Sequence, residues 1–374
     1  MADALKTFFS PDLVKRLART LRAAAPDFPD RAFVRAATRG LDELELLDRG
    51  RHIMRAMHAH LPGGYPEAIG VILRSLGPEH AGDELEGVGM APFFYLPHTM
   101  FVAEHGLEHF ELSMQAQHQL TRRFTCEFSI RPFLERYPDE TLAVLREWAL
   151  DPSPHVRRLV SEGTRPRLPW APRVRWLELR PERVLPLLEA LKDDPASVVR
   201  RSVANHLNDL SKSDPDRVAA LARRWLRGAS PERRALVEHA LRSAVKRGHK
   251  GSLEVLGFGG APRVRVSKAR FSPTRVAVGE RVRVAFDVAA EGGATGRQSL
   301  VVDLVVHFVK ARGTSSPKVF KVARLELAPK ERAELGKDVS LAIHTTRRPN
   351  PGRHRVDALV NGERFELGAF DVVA

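Results

Sequence analysis

A few acids stand out in a chain rich in arginine. Glu127 sits in Phe124-Thr-Cys-Glu-Phe-Ser-Ile-Arg-Pro132, among aromatic and apolar neighbours. Asp209 ends the arginine-rich stretch Val199-Arg-Arg-Ser-Val-Ala-Asn-His-Leu-Asn-Asp209. Between them runs Ser161-Glu-Gly-Thr-Arg-Pro-Arg-Leu-Pro-Trp170, which carries Glu162. Gly163, Pro166 and Pro169 break a helix there and display Arg165, Arg167 and Trp170. Arginines at such a break can hold phosphates, and a tryptophan can stack on a sugar or base. Acids in a basic groove repel phosphate, so their presence asks for a compensating role. An N-alkylated purine is already cationic, and its glycosidic bond breaks without a strong general acid. The barrier then lies in the oxocarbenium ion that develops on the sugar. Fixed carboxylates beside that sugar stabilise the cation and orient or deprotonate the attacking water.

Other chemistry is poorly represented. There is no phosphate loop of the Walker type, no Rossmann fingerprint and no H-E-x-x-H. His105-Gly-Leu-Glu-His109 fits H-x-x-E-H, an inverted zincin pattern. Gly106 weakens the helix such a site needs, so these residues read as a loop joining two helices. With Cys126 the one cysteine, neither an internal disulfide nor a thiolate zinc cluster can form.

The elements that position the acids are helical. From Ser10 to about Ser252, apolar residues recur three and four apart in segments punctuated by Pro, Gly and Asp. Val184, Leu187, Leu188 and Leu191 make one stripe; Leu236, Val237, Ala240, Leu241 and Val245 make another. Ser10, Asp30 and Ser230 stand where N-caps belong, near a Pro at a helix start. The segment Asp151-Pro-Ser-Pro-His-Val-Arg-Arg-Leu-Val160 recurs 43 residues later as Asp194-Pro-Ala-Ser-Val-Val-Arg-Arg-Ser-Val203, with a weaker echo at Ser230-Pro-Glu-Arg-Arg. That period belongs to HEAT-type helix pairs, each too thin to bury a core alone and so stacked into a solenoid. Val156 and Val160, and Val199 and Val203, are expected inside. Arg158 and Glu162 fall on the opposite face, as do Arg201, Asn205 and Asn208, with Asp209 at its edge. Periodicity alone fits a solvated face with local ion pairs; the helix break at Gly163, Glu127 and Asp209 argue for more.

After Leu256-Gly-Phe-Gly-Gly-Ala-Pro262 the texture changes to short alternating runs. Val264 to Lys268, Val278 to Phe286, Leu300 to Val309 and Val319 to Leu327 read as strands, and Val360-Asn-Gly-Glu363 as a tight hairpin turn. About seven strands suggest an immunoglobulin-like β-sandwich. The expected fold is mainly α with a β domain: a HEAT-like α-helical repeat over residues 1–256, then an immunoglobulin-like β-sandwich over residues 262–374.

Charge points to the partner. The net charge is +14 with pI near 10.4, which favours nucleic acid. From Ala261 to Ala374 there are 21 Lys and Arg against 12 Asp and Glu, a balance of +9. The sandwich is therefore expected to share in gripping the polyanion. No apolar run approaches the roughly 18 residues of a membrane span, and the N-terminal residues lack a secretory signal. The expected location is the cytoplasm, on the nucleoid.

Three stretches carry a family resemblance: Arg122 to Pro132, His155 to Trp170 and Val199 to Asp209. In them the chain resembles the AlkC branch of the bacterial AlkC/AlkD DNA alkylation-repair glycosylases, in the variant with a C-terminal immunoglobulin-like domain. The likeness covers nearly the whole chain. It implies base excision repair of cationic alkylated bases, 3-methyladenine and 3-methylcytosine, in duplex DNA, without flipping the lesion into a deep pocket. The implied partner is double-stranded DNA containing alkylated bases, bound by a monomer with no metal and no cofactor. Carried over by motif, Glu127, Glu162, Trp170 and Asp209 would form the catalytic site. Arg157, Arg158, Arg165, Arg167, Arg200 and Arg201 would hold the DNA backbone. The alternative is a HEAT-repeat scaffold that binds DNA or protein without catalysis. The segment Gly87 to Tyr95 is expected to be plain core.

Overall fold

The structure, a computed structural model, describes residues 5–80, 91–291, 296–343 and 348–373. Its helices are α1 Pro11–Ala24, α2 Asp30–Thr38, α3 Leu46–His60, α4 Tyr65–Arg74, α5 Leu96–His105, α6 Phe110–Thr121, α7 Ile130–Arg136, α8 Pro138–Trp148, α9 Pro154–Gly163, α10 Arg175–Leu179, α11 Leu185–Leu191, α12 Ser197–Leu210, α13 Pro215–Trp225, α14 Pro231–Lys246 and α15 Lys250–Val255. Eight strands follow among the described residues, the first starting at Val264. The chain divides into two compact units: residues 1–210 with 230–240, and residues 211–229 with 241–374. The last helix thus ends near the Gly/Pro joint read from sequence, but α13, α15 and the end of α14 group with the strands. Among the described residues no helix is long and apolar enough to cross a membrane.

The first unit is built of helices whose apolar stripes lie inside. Both stripes read from sequence are buried, as are Val156, Val160, Val199 and Val203. Ser10 caps α1 through Oγ, which accepts from Leu13 N at 3.4 Å, and Ser230 Oγ accepts from Arg233 N at 3.2 Å. Asp30 is the first residue of α2 rather than its cap, with Pro29 before it.

The 43-residue repeat is repeated in its hydrogen bonds. Asp151 Oδ1 accepts from Ser153 N at 2.7 Å, and Asp194 Oδ1 accepts from Ala196 N at 2.9 Å. The first arginine of each pair turns back on its own loop. Arg157 donates to the carbonyls of Asp151 and Pro152, and Arg200 to those of Asp194 and Pro195. Arg157 also forks onto Asp194 of the next repeat at 2.6 and 3.0 Å. Arg233, in the third segment, reaches back to pair with Asp193 beside the second. The Asp-Pro and Arg-Arg motif therefore closes the inter-helix loops and ties successive repeats.

Within the second unit the strands are β1 Val264–Ser272, β2 Arg275–Ala277, β3 Arg281–Ala290, β4 Gln298–Val309, β5 Ser315–Leu327, β6 Arg332–Ser340, β7 Gly352–Val360 and β8 Glu363–Val373. They form one sheet ordered β1-β3-β6 and another ordered β2-β8-β7-β4-β5. Alternate residues Val282, Val284, Phe286 and Val288 share a core with Leu300, Val302, Leu304 and Val306. The turn at Asn361-Gly362 joins β7 to β8 as read, with both residues at positive φ. A Cβ on Gly362 would lie 2.8 Å from the Gly248 carbonyl oxygen, so glycine is required there.

One buried histidine gives a stability prediction. His98 on α5 is completely buried beside Phe94 and Tyr95, and neither ring nitrogen has a partner among the described residues. Burial lowers its pKa to about 3. Burial likewise lowers buried His206 to about 4. A histidine whose folded pKa is depressed is protonated first in the unfolded chain. Stability is therefore full above the unfolded value of about 6.5 and falls as pH drops towards the folded value. His98→Phe is expected to raise Tm and to flatten its fall between about pH 7 and pH 5. A Tm-against-pH slope equal to wild type would contradict this.

Candidate active site

The acids meet at the C-terminal end of α9. Glu162 occupies its last turn and Arg165 the loop just beyond. Gly163 lets this end approach α7 closely, since a Cβ there would lie 2.6 Å from Ile130 Cγ2. Glu162 is only 5% exposed and Asp209, on α12, 1%. Arg165 bridges them, donating from Nη1 to Glu162 Oε1 at 2.6 Å and from Nε to Asp209 Oδ2 at 2.9 Å. Ser202 Oγ donates to Glu162 Oε2 at 2.6 Å. Arg158 places Nη2 3.1 Å from Glu127 Oε2 and 3.9 Å from Glu162 Oε1. Glu127 Oε2 also accepts from Thr125 Oγ1 at 2.8 Å. Three acids and two arginines thus form one linked set.

The set keeps its charges. Burial pushes the Glu162 carboxyl up, but the guanidiniums of Arg158 and Arg165 and the Ser202 hydroxyl outweigh it, and the net shift is downward. For Arg165, burial acts downward but Glu162 and Asp209 prevail, so its pKa is raised. Arg158 is raised in the same way by Glu127 and Glu162. Glu162 is therefore an ionised carboxylate at neutral pH.

This cluster opens on a cavity of about 340 Å³. Glu127, Glu162, Arg158 and Arg165 line it, with Phe93, Phe124 and Trp170 as aromatic walls. Trp170 is 68% exposed at φ 65°. A bulky residue in the left-handed region is strained, and the surrounding structure must hold it there. Arg131, on the buried side of α7, helps to do so. Its Nη1 donates to the carbonyls of Gly163 and Arg165 at 3.0 and 2.9 Å, and its Nε to that of Pro172 at 2.9 Å. It thereby ties both ends of the Trp170 loop. Burial lowers its pKa to about 10. Trp170 also lines a second cavity of about 440 Å³, shared with Leu47, Leu96 and Phe128.

The face on which sequence placed Arg158 and Glu162 is not solvated. The next repeat covers it through Ser202 and Asp209. Asn208 is buried and Asn205 is hydrogen-bonded to His239 at 3.0 Å; Arg201 is exposed. The six arginines expected at a DNA backbone have diverse surroundings. Arg157 and Arg165 are committed to acids and carbonyls inside the protein, and Arg158 to Glu127 and Glu162. Arg167 pairs with Glu178 at 2.6 Å. Arg200 and Arg201 line a cleft of about 300 Å³ with Ser197, Glu232 and His239.

Sequence reading missed Thr125, Ser202 and Arg131. Arg131 carried a signal, as a charge between the apolar residues of α7. Ser202 carried none, because its role depends on α12 crossing α9. Of the segment Gly87 to Tyr95, residues 87–90 lie outside the described residues. Pro92 and Phe94 are buried, but Phe93 lines the acid cavity. His105 ends α5 and stacks on His58 at 3.8 Å, whereas His109 stacks on Tyr65 at 5.2 Å. Among the described residues no group of three or more His, Cys, Asp or Glu could hold a metal ion.

Comparison with known proteins places the chain in a family. Residues 121–248 match the family described as DNA alkylation repair enzyme. Residues 265–374 match the C-terminal Ig-like domain of the uncharacterised protein YhaZ. YhaZ of Bacillus subtilis is 33% identical over 364 residues, covering 97% of each chain. The alkylpurine DNA glycosylase AlkC of Pseudomonas fluorescens, solved bound to DNA containing an abasic site analog, superposes with a TM-score of 0.90. It shares 34% identity over 99% of both chains. This chain belongs to the AlkC-type DNA alkylation repair family. It is of the form with a C-terminal Ig-like domain, so the AlkC resemblance read from the three motifs holds over the whole chain. Residues 121–248, which match the DNA alkylation repair enzyme family, include Glu127, Glu162, Trp170 and Asp209.

Proposed function

We propose that this protein is a DNA glycosylase of base excision repair that hydrolyses the N-glycosidic bond of cationic alkylated bases. The preferred lesions are 3-methyladenine and 3-methylcytosine in duplex DNA, and the enzyme acts as a monomer on the nucleoid in the cytoplasm. One observation carries the reading. A buried, ionised Glu162 and a second carboxylate, Glu127, line one cavity with an exposed, strained tryptophan, in a chain similar to AlkC throughout. The roles follow from charge. Glu162 and Glu127 stabilise the oxocarbenium sugar and orient water. The bond between C1′ and the ring nitrogen breaks, its electron pair neutralises the base, and the water oxygen joins C1′. The water proton leaves to a carboxylate and then to solvent. Trp170 packs on the lesion, and Asp209 with Arg165 holds Glu162 in place. No deep pocket for a flipped base is required, because the acids reach a sugar from outside the helix.

Phosphate contacts are assigned to Arg201 and Arg200 at their cleft and to Arg167. Arg157, Arg158 and Arg165 act instead through the acids they neutralise. The test is base release from methylated duplex DNA by the purified protein, read by chromatography. Free 3-methyladenine and 3-methylcytosine are expected, with affinity for DNA falling steeply as salt rises. Salt-dependent binding with no base released would make the protein a scaffold and reject the glycosylase reading.

A further inference from the structure

Two hydroxyls hold the two carboxylates that line the acid cavity, and they leave them in different states. Both oxygens of Glu162 are taken: Oε2 accepts from Ser202 Oγ and Oε1 from Arg165 Nη1, each at 2.6 Å. Glu162 is nearly inaccessible and its neighbours lower its pKa, so it is a fixed charge and a weak base. Glu127 is held through one oxygen only. Its Oε2 accepts from Thr125 Oγ1 at 2.8 Å and lies 3.1 Å from Arg158 Nη2. Its Oε1 has no partner among the described residues and is not sealed from solvent. We propose that Thr125 is a positioning residue that prepares Glu127 to take the proton of the attacking water; this rests on the glycosylase reading.

The surroundings of the Thr125 hydroxyl fix its direction. Thr125 lies in the loop between α6 and α7, and both its neighbours, Phe124 and Cys126, are buried. The Cys126 thiol donates to the Gln117 carbonyl at 3.4 Å, and Ser129 Oγ donates to the Cys126 carbonyl at 3.2 Å. The loop is thus anchored on either side of Thr125, which itself lines the acid cavity with Glu127. A threonine hydroxyl has one hydrogen and two lone pairs. Thr125 Oγ1 accepts from Glu127 N at 3.3 Å, closing a short turn, and from Arg158 Nη1 at 3.4 Å. Both lone pairs meet donors, so the single hydrogen goes to Glu127 Oε2. The carboxylate is pinned through that oxygen, and Oε1 is left for a water in the cavity. As the water oxygen bonds to C1′ and the glycosidic electron pair leaves with the base, Oε1 takes the water proton and later passes it to solvent. Thr125 touches neither the water nor the sugar in this step and acts through Glu127.

The test is single-turnover release of 3-methyladenine from methylated duplex DNA by the full-length protein, with Kd for the same DNA measured beside it. Thr125→Val keeps the shape of the side chain and loses the hydroxyl. It is expected to slow release about tenfold, the scale of one hydrogen bond to a charged group, and to leave Kd unchanged. Thr125→Ser restores the hydroxyl and should recover most of the rate. In a Glu127→Ala background, Thr125→Val should add little to the loss, because the hydroxyl acts through that carboxylate. Thr125→Ala serves as the hydroxyl-free variant if Thr125→Val does not fold. A folded hydroxyl-free variant that releases base at the wild-type rate overturns the positioning role. So does an effect confined to Kd, a loss that Thr125→Ser does not recover, or a full further loss in the Glu127→Ala background. Each of these leaves the glycosylase reading standing. No release by the wild type overturns the glycosylase reading, and the role of Thr125 with it.

Discussion

Glu162→Gln will lower single-turnover release of 3-methyladenine by about 10²–10³-fold, the scale of removing one fixed electrostatic stabiliser from a transition state. Gln keeps the shape of Glu and still accepts from Ser202, so the protein should stay folded. What it lacks is the negative charge facing the sugar cation. The guanidiniums of Arg158 and Arg165 would then be left to oppose that cation. Full activity in a folded Glu162→Gln protein would remove Glu162 from the chemistry. The pH profile provides a companion measurement. Because the net effect of its neighbours is to lower the Glu162 pKa, the carboxylate is fully ionised above its ordinary value of about 4.3. Release should therefore not fall with Glu162 protonation between about pH 7 and pH 5. The acid limb belongs below the ordinary glutamate range, and one above it would contradict the pairing.

Arg165→Met will destabilise the fold by about 3–5 kcal/mol, the cost of stripping a buried ion network of one partner. Arg165 is the residue that joins Glu162 to Asp209. Met fills similar volume but leaves two nearly inaccessible carboxylates without their shared cation. Urea unfolding measures the loss. A second change, Asp209→Asn, should recover part of it by removing one unpaired charge. A single-variant loss under about 1 kcal/mol would mean that water or Arg158 takes over the pairing. Arg165→Lys is expected to fall between, because an ammonium lacks the fork that reaches both acids.

How much of this was legible before folding varies with the feature. The helical stripes were, because a period of 3.6 residues is written locally in residues such as Leu187, Leu188 and Leu191. The hairpin at Asn361-Gly362 was, because few residues adopt positive φ. The 43-residue repeat was visible, but its purpose was not. The same Arg-Arg signature that reads as a basic face is half architecture, with Arg157 and Arg200 closing their own loops.

Sequence by itself determined the two textures, the repeat and the charge, and it offered Glu162 as the acid close to Trp170 along the chain. Periodicity alone fitted a solvated face for Glu162, because helical periodicity reports which residues share a side of one helix and not what the next helix lays over that side. Only the tertiary structure decided that α12 covers α9, bringing Ser202 and Asp209 to residues some 40 positions earlier. That crossing turns a surface ion pair into a buried, ionised carboxylate. Burial raises the cost of an unpaired charge, and the matching arginines hold it in place. The acid that the motif offered thereby becomes a fixed charge beside an exposed tryptophan.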